Sequence, residues 1–173
     1  EINPLVEPIA RNFFTYVRDS AASIQVVPGD ARVSLASEPP QGYDVLVVDA
    51  FSGDAIPVHL LTREAFQLYQ RHLSPGGILA VHVSNRYLDL VPVVRQQAQY
   101  AGLPALLVTT EDDDDVQSYG STWVLVTANR DFLADKAVES ASQSFGPSPP
   151  LRLWTDDYNS LLPLLKKPEP DDD

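Results

Sequence analysis

The chain has 173 residues, 44% of them hydrophobic, which suits a single globular domain with a sizeable core. Its formal net charge of −12 argues against a nucleic-acid-binding protein, because phosphate backbones attract basic surfaces. The absence of cysteine excludes disulfides and thiolate metal sites, and no apolar run approaches the ~20 residues of a membrane-spanning helix.

The two ends of the sequence lead to two further predictions. There is no methionine, and the sequence opens abruptly at Glu-Ile-Asn-Pro, so we expect a piece of a longer protein. We expect one domain over 1–165, followed by a disordered acidic tail over 166–173.

The first part of the chain predicts one long helix, a strand and a short helix. Apolar residues recur every four positions from Leu5 to Val17, a spacing typical of a helix with one buried face, here over 4–22. A short strand over 23–27 then leads through a Pro-Gly-Asp turn into a helix over 31–36.

The clearest strand lies in the next segment. Residues 45–48 are all apolar and belong to a strand predicted over 43–49. Such a run is typical of a strand that is buried on both faces of a parallel sheet. After a loop, Thr62 is predicted to cap a helix that ends near Leu73.

The remaining segments continue the alternation of strands and helices. A turn over 74–77 precedes a strand over 78–83. The elements that follow are a helix, two strands and a helix, over 87–101, 103–109, 122–127 and 131–144. This order predicts a mostly parallel sheet with right-handed crossovers. The close spacing of the last two strands, around 111–119, predicts an antiparallel hairpin at one edge.

Two carboxylates follow the apolar strand. Asp49 comes directly after it, and Asp54 lies in a loop that also contains Ser52. Ligands of open α/β sheets bind beyond the carboxyl ends of strands, so these side chains are candidates for binding. An alkylamine has a pKa of ~10.4, so an enzyme that uses an amine as nucleophile needs a carboxylate to hold the ammonium and accept its proton. The alternative is that Asp49 caps the loop backbone and Asp54 is solvated.

A second candidate is the turn at Gly29, Asp30 and Ala31. Glycine lets the backbone approach a ligand, and the Asp30 carboxylate can accept a hydrogen bond from an exocyclic amine. An aspartate in this place can equally cap the following helix. Glu1 stands just before a predicted helix, where an acidic residue often binds ribose hydroxyls in nucleotide-binding βαβ units.

The histidines and the acidic loop do not indicate a metal site. His59, His72 and His82 lack the spacing of metal ligands, and His82 is interpreted as a hydrogen-bonded core residue within a strand. The acidic run over 111–115 lacks spaced ligands and a glycine turn, so we interpret it as a solvated loop.

Six motifs taken together resemble the spermidine synthase (polyamine aminopropyltransferase) family, and more closely its bacterial spermidine-synthase-like domains that are often fused to membrane-spanning segments. The motifs are EINP at 1–4, VVPGDAR at 26–32, YDVLVVDAFSGDAIP at 43–57, LSPGGILAVHVSNRYLDL at 73–90, STWVLV at 121–126 and TDDYN at 155–159.

The resemblance implies an α/β fold like that of the S-adenosylmethionine-dependent methyltransferases, Rossmann-like, with helices on both faces of a mostly parallel sheet. It implies a cytoplasmic transferase that moves an aminopropyl group from decarboxylated S-adenosylmethionine to putrescine or a related diamine, releases methylthioadenosine and needs no metal. The family's Gly-rich cofactor loop, with the strand-helix-strand around it, would precede Glu1, so we expect the chain alone to be inactive. We also expect a homo-oligomer, because a bare sheet edge invites strand pairing.

The resemblance also assigns residues. Glu1 would bind the cofactor ribose, Asp30 with Ala31 the adenine, and Asp49 would orient and deprotonate the attacking amine. The amine pocket would be lined by Ser52, Asp54, Tyr119, Asp157 and Tyr158.

One position departs from the family pattern. The family places a second aspartate three residues after the first, where this chain has Ser52. Two other functions therefore stay open: an S-adenosylmethionine-dependent methyltransferase on the same fold, and a non-catalytic ligand-sensing domain of a membrane protein.

Overall fold

The computed structural model describes residues 1–50, 57–115 and 117–166. The chain divides into two compact units, Glu1–Pro39 and Pro40–Asp173, and each is described by itself. None of the described helices is both long enough and apolar enough to cross a bilayer.

The first unit is helical. It contains α1 (Val6–Phe13), α2 (Thr15–Arg18) and α3 (Ala31–Ser37). The single helix predicted over 4–22 is therefore wrong, because Phe14 adopts an extended conformation with φ −121° and ψ 154° that ends α1.

The strand predicted over 23–27 is also wrong. No residue of that segment is in a strand. Its last residues bind the start of the chain instead: the Gly29 N–H donates to the Glu1 carbonyl at 2.8 Å, and the Glu1 nitrogen donates to the Val27 carbonyl at 3.1 Å. A ladder needs a second strand, and the described residues of this unit form none.

The second unit contains a five-stranded sheet in the order β1-β2-β4-β3-β5. Its elements in chain order are β1 (Tyr43–Val48), a 3₁₀ turn (Val58–Leu60), α4 (Arg63–His72), β2 (Leu73–His82), α5 (Val91–Tyr100), β3 (Ala105–Thr110), β4 (Ser121–Val126), α6 (Arg130–Leu133), α7 (Lys136–Ala141), β5 (Ser142–Gln143) and a second 3₁₀ turn (Leu162–Leu164).

The strand directions confirm the predicted fold class. Strand β1 pairs with β2 in parallel, whereas β4 is antiparallel to both β2 and β3. Consequently β1, β2 and β3 point the same way, and β4 runs between β2 and β3 in the opposite direction. The predicted hairpin is the β3–β4 pair, with the two-residue β5 outside it.

A bulge in β2 replaces the turn predicted over 74–77. The register moves from Tyr43 opposite Leu73 to Val45 opposite Ile78, so β2 continues through this segment. Gly77 permits the close approach, since a Cβ there would lie 2.7 Å from the Tyr43 carbonyl oxygen. The turn was expected because Pro-Gly-Gly is typical of loops, and Gly76 does have a positive φ of 82°. The segment belongs to β2 because Leu73 before it and Ile78 after it both pair with β1.

The core of the second unit lies on one side of β1. Phe66, Leu79, Val94, Val124 and Trp154 are all buried, whereas Val45 and Val47 of β1 are 55% and 56% exposed. In the described sheet β1 pairs only with β2 and is an edge strand. The prediction that its apolar run is buried on both faces is therefore wrong for the described chain.

The helix cap at Thr62 is confirmed, since its side chain accepts a hydrogen bond from the Ala65 N–H. The disordered tail predicted over 166–173 stays a prediction, because only its first residue is described. Lys166 donates from its backbone N–H to the Tyr87 carbonyl and from Nζ to the Asn85 carbonyl, at 2.9 and 2.8 Å. Residues 167–173 lie outside the described chain.

Candidate functional site

The carboxyl ends of β1 and β2 bring Asp49 and His82 together. The two strands are parallel, and Val48 is aligned with Val81, so the next residue of each strand faces the other. The His82 Nδ1 and Asp49 Oδ1 atoms are 2.8 Å apart. Apolar side chains precede Asp49 and His82 in the two strands, and these two polar side chains emerge together at the carboxyl edge of the sheet.

On the side away from Asp49, the His82 ring is held by the first residues of β4. Its Nε2 lies 2.7 Å from the Ser84 hydroxyl oxygen, and that oxygen accepts a hydrogen bond from the Thr122 N–H at 2.7 Å. The imidazole also stacks on the Trp123 indole, with ring centroids 4.8 Å apart and planes 25° from parallel. The hydrogen bonds thus fix the ring in its plane, and the stacked indole restricts its movement perpendicular to that plane.

Exposure differs sharply between the two partners. The His82 side chain is 21% exposed, whereas that of Asp49 is 53% exposed. A carboxylate with one oxygen fixed by a neighbour and much of its surface in solvent can bind a cationic ligand and accept a proton from it. This arrangement suits an ammonium group better than an apolar ligand.

Sequence reasoning predicted a hydrogen-bonded core residue at His82; the hydrogen bonds are present, but the contact with Asp49 was not anticipated. The signal was available in its position, because His82 ends β2 just as Asp49 follows β1. Parallel neighbours place such residues at the same edge of a sheet.

In the first unit, Asp30 caps α3. Its carboxylate accepts a hydrogen bond from the Val33 N–H at 2.9 Å, and Ala31 is the first residue of the helix. The Glu1 carboxylate accepts from the Asn3 N–H at 2.7 Å. Because the Gly29 N–H binds the Glu1 carbonyl, the structure brings Glu1 and the 28–30 turn together. Both carboxylates here bind backbone amides of their own loops.

The residues assigned to the amine pocket are spread over several segments. Tyr119 is 91% exposed and forms no hydrogen bond or ring contact with Asp49. Ser52 and Asp54 lie outside the described residues. Among the described residues of the second unit, Asp49 is hydrogen-bonded to His82 and not to Tyr119, Asp157 or Tyr158.

Asp157 and Tyr158 belong to a tight turn. Thr155 and Tyr158 exchange two backbone hydrogen bonds of 2.8 and 3.1 Å. The Arg152 guanidinium carbon lies 4.2 Å from the centre of the Tyr158 ring, within the range of a cation–π contact. Asp157 at the tip of the turn is exposed.

Asp156 attaches this turn to the start of α4. Its carboxylate accepts a hydrogen bond from the Thr62 hydroxyl at 2.8 Å, and its N–H donates to the Glu64 carboxylate at 3.0 Å. Burial by itself would raise the pKa of the Glu64 carboxyl. Hydrogen bonds from its own backbone, from the Arg63 side chain and from the Asp156 N–H outweigh burial and hold that pKa below its ordinary value.

Comparison with known proteins gives a consistent but partial match. No protein-family model matches the chain. The chain is 38% identical over 84 residues to the polyamine aminopropyltransferase of Vibrio vulnificus, covering 47% of this chain and 27% of that protein. It is 33% identical over 84 residues to a probable polyamine aminopropyl transferase of Bifidobacterium longum, covering 49% and 18%. The matched part is less than a third of either relative.

The fold is similar to that of a solved spermidine synthase in complex with the transition-state analogue AdoDATO. The TM-score is 0.57 with 13% sequence identity, over 91% of this chain and 54% of that one. The TM-score shows a common fold, and identity this low shows no more than that. Over part of its length the chain is thus similar to polyamine aminopropyltransferases in sequence and to a spermidine synthase in fold.

Proposed function

We propose that the protein containing this chain is an aminopropyltransferase. It would transfer an aminopropyl group from decarboxylated S-adenosylmethionine to putrescine or a related diamine and release methylthioadenosine. The observation that carries this proposal is the half-exposed Asp49 carboxylate at the carboxyl end of β1, held there by His82. The similarity to polyamine aminopropyltransferases supports the same reaction.

Asp49 has two tasks in this reaction. Its carboxylate binds the protonated amine of the acceptor and then takes one proton, so that the nitrogen lone pair becomes available. The nitrogen attacks the methylene carbon bonded to the sulfonium, a C–N bond forms and the C–S bond breaks. The sulfur leaves as a neutral thioether, so no general acid is required. The remaining catalytic contribution is in-line positioning of the two reactants.

The donor would be bound by the first unit. Glu1 would hold its ribose hydroxyls, and Asp30 with Ala31 its adenine. The location of these residues around the 28–30 turn supports this assignment, because the Gly29 N–H binds the Glu1 carbonyl and keeps the two segments adjacent.

The second ammonium of the acceptor would be held by the remaining residues that the resemblance assigns to the amine pocket. They are Ser52, Asp54, Tyr119, Asp157 and Tyr158. The net charge of −12 favours a dicationic acceptor over an anionic one. We expect a homo-oligomer in the cytoplasm, with no metal, and a full-length parent that can carry membrane-spanning segments. The isolated chain would be inactive.

A direct test uses the full-length protein with decarboxylated S-adenosylmethionine and a panel of diamines of different lengths. Methylthioadenosine is quantified by chromatography, and the aminopropylated product by mass spectrometry. We expect product release that depends on both donor and amine. Release of methylthioadenosine without amine dependence would contradict the proposal, as would methyl transfer when S-adenosylmethionine is the donor.

A non-catalytic ligand-sensing domain is the second candidate. Ser52 stands where the family has its second aspartate, and this departure favours binding without turnover. Calorimetric titration of the full-length protein with putrescine distinguishes the two functions. A sensor would bind the diamine and release no methylthioadenosine in the same buffer.

A further inference from the structure

Four groups from three adjacent strands form one continuous line of hydrogen bonds. The Thr122 N–H donates to the Ser84 hydroxyl oxygen at 2.7 Å. The Ser84 oxygen lies 2.7 Å from His82 Nε2, and His82 Nδ1 lies 2.8 Å from Asp49 Oδ1. The line therefore begins at a backbone amide, passes through two side chains and ends at the candidate catalytic carboxylate.

The carboxylate at the other end of the line decides where the imidazole proton lies. An ionised carboxylate can only accept, so the contact with Asp49 requires a hydrogen on His82 Nδ1. A neutral His82 with its proton on Nδ1 accepts at Nε2, and the Ser84 hydroxyl, which accepts from the Thr122 N–H, has its own hydrogen available for this bond. The opposite tautomer would place a nitrogen lone pair against the carboxylate. Hence Asp49 selects the Nδ1–H tautomer, and Ser84 complements it.

The imidazole has little freedom to depart from this geometry. His82 is aligned with Trp123 in the β2–β4 register, and the two rings are stacked. Just beyond, the Val83 N–H donates to the Thr122 carbonyl at 2.9 Å. The His82 ring is thus held by β2 and β4, which are inner strands of the sheet. Asp49, in contrast, follows the edge strand β1.

We propose that His82 is the positioning residue of Asp49. The Nδ1–H holds one carboxylate oxygen, so that the other is directed to the acceptor amine. This inference rests on the proposed aminopropyl transfer. His82 does not relay the proton, because Nδ1 already carries a hydrogen and Nε2 already accepts one from Ser84. The proton taken from the amine stays on Asp49 until it exchanges with solvent.

The order Asp49, His82, Ser84 also resembles the arrangement in serine hydrolases, where the serine is a nucleophile. Here the Thr122 amide binds the serine oxygen itself, whereas a hydrolase directs such amides at the substrate oxyanion. We therefore assign Ser84 to holding the His82 ring at Nε2. Covalent labelling of Ser84 by a fluorophosphonate probe would overturn this assignment, and an unlabelled protein supports it.

The first test compares two variants of His82 in the full-length protein. His82→Phe keeps a ring to stack on Trp123 and removes both hydrogen bonds. We expect kcat to fall ~10–100-fold, with a much smaller change in the KM of the amine, as for other groups that orient a functional side chain. His82→Asn is the matched rescue, because its Nδ2, like Nδ1, is bonded to Cγ and can donate to Asp49. We expect it to recover most of kcat.

Thermal unfolding followed by circular dichroism verifies that both variants are folded. Equal kcat in the two variants would overturn the positioning role, because the restored donor would then have no effect. A large rise in KM at unchanged kcat would overturn it as well.

The second test determines the tautomer of His82 by a measurement that does not depend on turnover. In protein labelled with ¹⁵N-histidine, long-range proton–nitrogen spectra distinguish an Nδ1–H from an Nε2–H imidazole. We expect Nδ1–H in the wild-type protein and in Ser84→Ala, where Asp49 is unchanged, and a mixture of tautomers in Asp49→Asn, whose amide can donate to Nδ1 as well as accept from it. An Nε2–H signal for wild-type His82 would overturn the inference while amine-dependent turnover still stood. Absent turnover with an Nδ1–H signal would instead remove the proposed function.

Discussion

Asp49 in the second unit and Asp30 in the first are both candidate binding residues, but their carboxylates are held in different ways. Asp49 is bound by His82, 33 residues along the chain, across two strands of a sheet. Asp30 is bound by the Val33 N–H, three residues away, as an ordinary helix cap. Long-range contacts therefore orient the Asp49 carboxylate, whereas its own loop orients Asp30. A substitution that disturbs the sheet should therefore change the orientation of the Asp49 carboxylate and not that of Asp30.

The largest expected effect is that of Asp49→Asn on turnover. The amide can still accept a hydrogen bond but is a far weaker base, so we expect kcat to fall by about 100-fold or more. Asp44→Asn is the matched control on the same strand, since Asp44 is exposed at the other end of β1 and binds the Ser74 hydroxyl at 3.0 Å. Steady-state kinetics of methylthioadenosine release checks both, and equal kcat values would remove Asp49 from the mechanism.

The second effect concerns the strand pairing that places Asp49. A methyl group at Gly77 would meet the Tyr43 carbonyl oxygen at 2.7 Å, so β1 and β2 must separate or shift. We expect Gly77→Ala to lower the free energy of unfolding by about 1–3 kcal/mol, as overpacking usually does. Gly146→Ala is the control, because nothing lies within 4 Å of the added carbon. Urea unfolding followed by fluorescence measures both, and similar midpoints would contradict the expected clash.

A smaller effect is expected at Asp30, which has two roles here: it caps α3, and it is proposed to bind the adenine of the donor. Serine is as good a helix cap as aspartate but too short to reach a ligand beyond the turn. We expect Asp30→Ser to keep the stability of α3 and to raise the KM of the aminopropyl donor ~10-fold, the effect of losing one good hydrogen bond. Asp30→Ala should lose stability as well, by about 1 kcal/mol. If the donor KM is unchanged in Asp30→Ser, Asp30 is a cap alone.

The smallest effect is the acid dependence of the contact between Glu64 and Asp156. The folded-state pKa of Glu64 lies below its ordinary value of 4.5, so its contribution to stability is present above that value. The contribution disappears as the pH falls through the folded-state pKa. We expect Glu64→Gln to destabilise by at most about 1 kcal/mol at neutral pH, because the side chain is partly exposed. Thermal unfolding between pH 7 and pH 3 checks this, and a difference that does not shrink in acid would contradict it.

Much of the local structure was predictable from the sequence. The Thr62 cap, the strand that delivers Asp49 and the capping alternative for Asp30 all depend on residues within a few positions of each other. The helix over 4–22 failed because the break at Phe14 has no strong local signal such as glycine or proline. The strand over 23–27 failed because a strand exists only with a partner.

The sequence by itself determined the apolar strand β1 and the position of Asp49 directly after it. Only the tertiary structure decided that a line of hydrogen bonds through Thr122, Ser84 and His82 ends at that carboxylate. The physical reason is the range of the interactions. A helix cap or a turn is closed by neighbours in the chain, whereas the pairing of β1, β2 and β4 joins residues far apart in sequence, and no local pattern specifies that order.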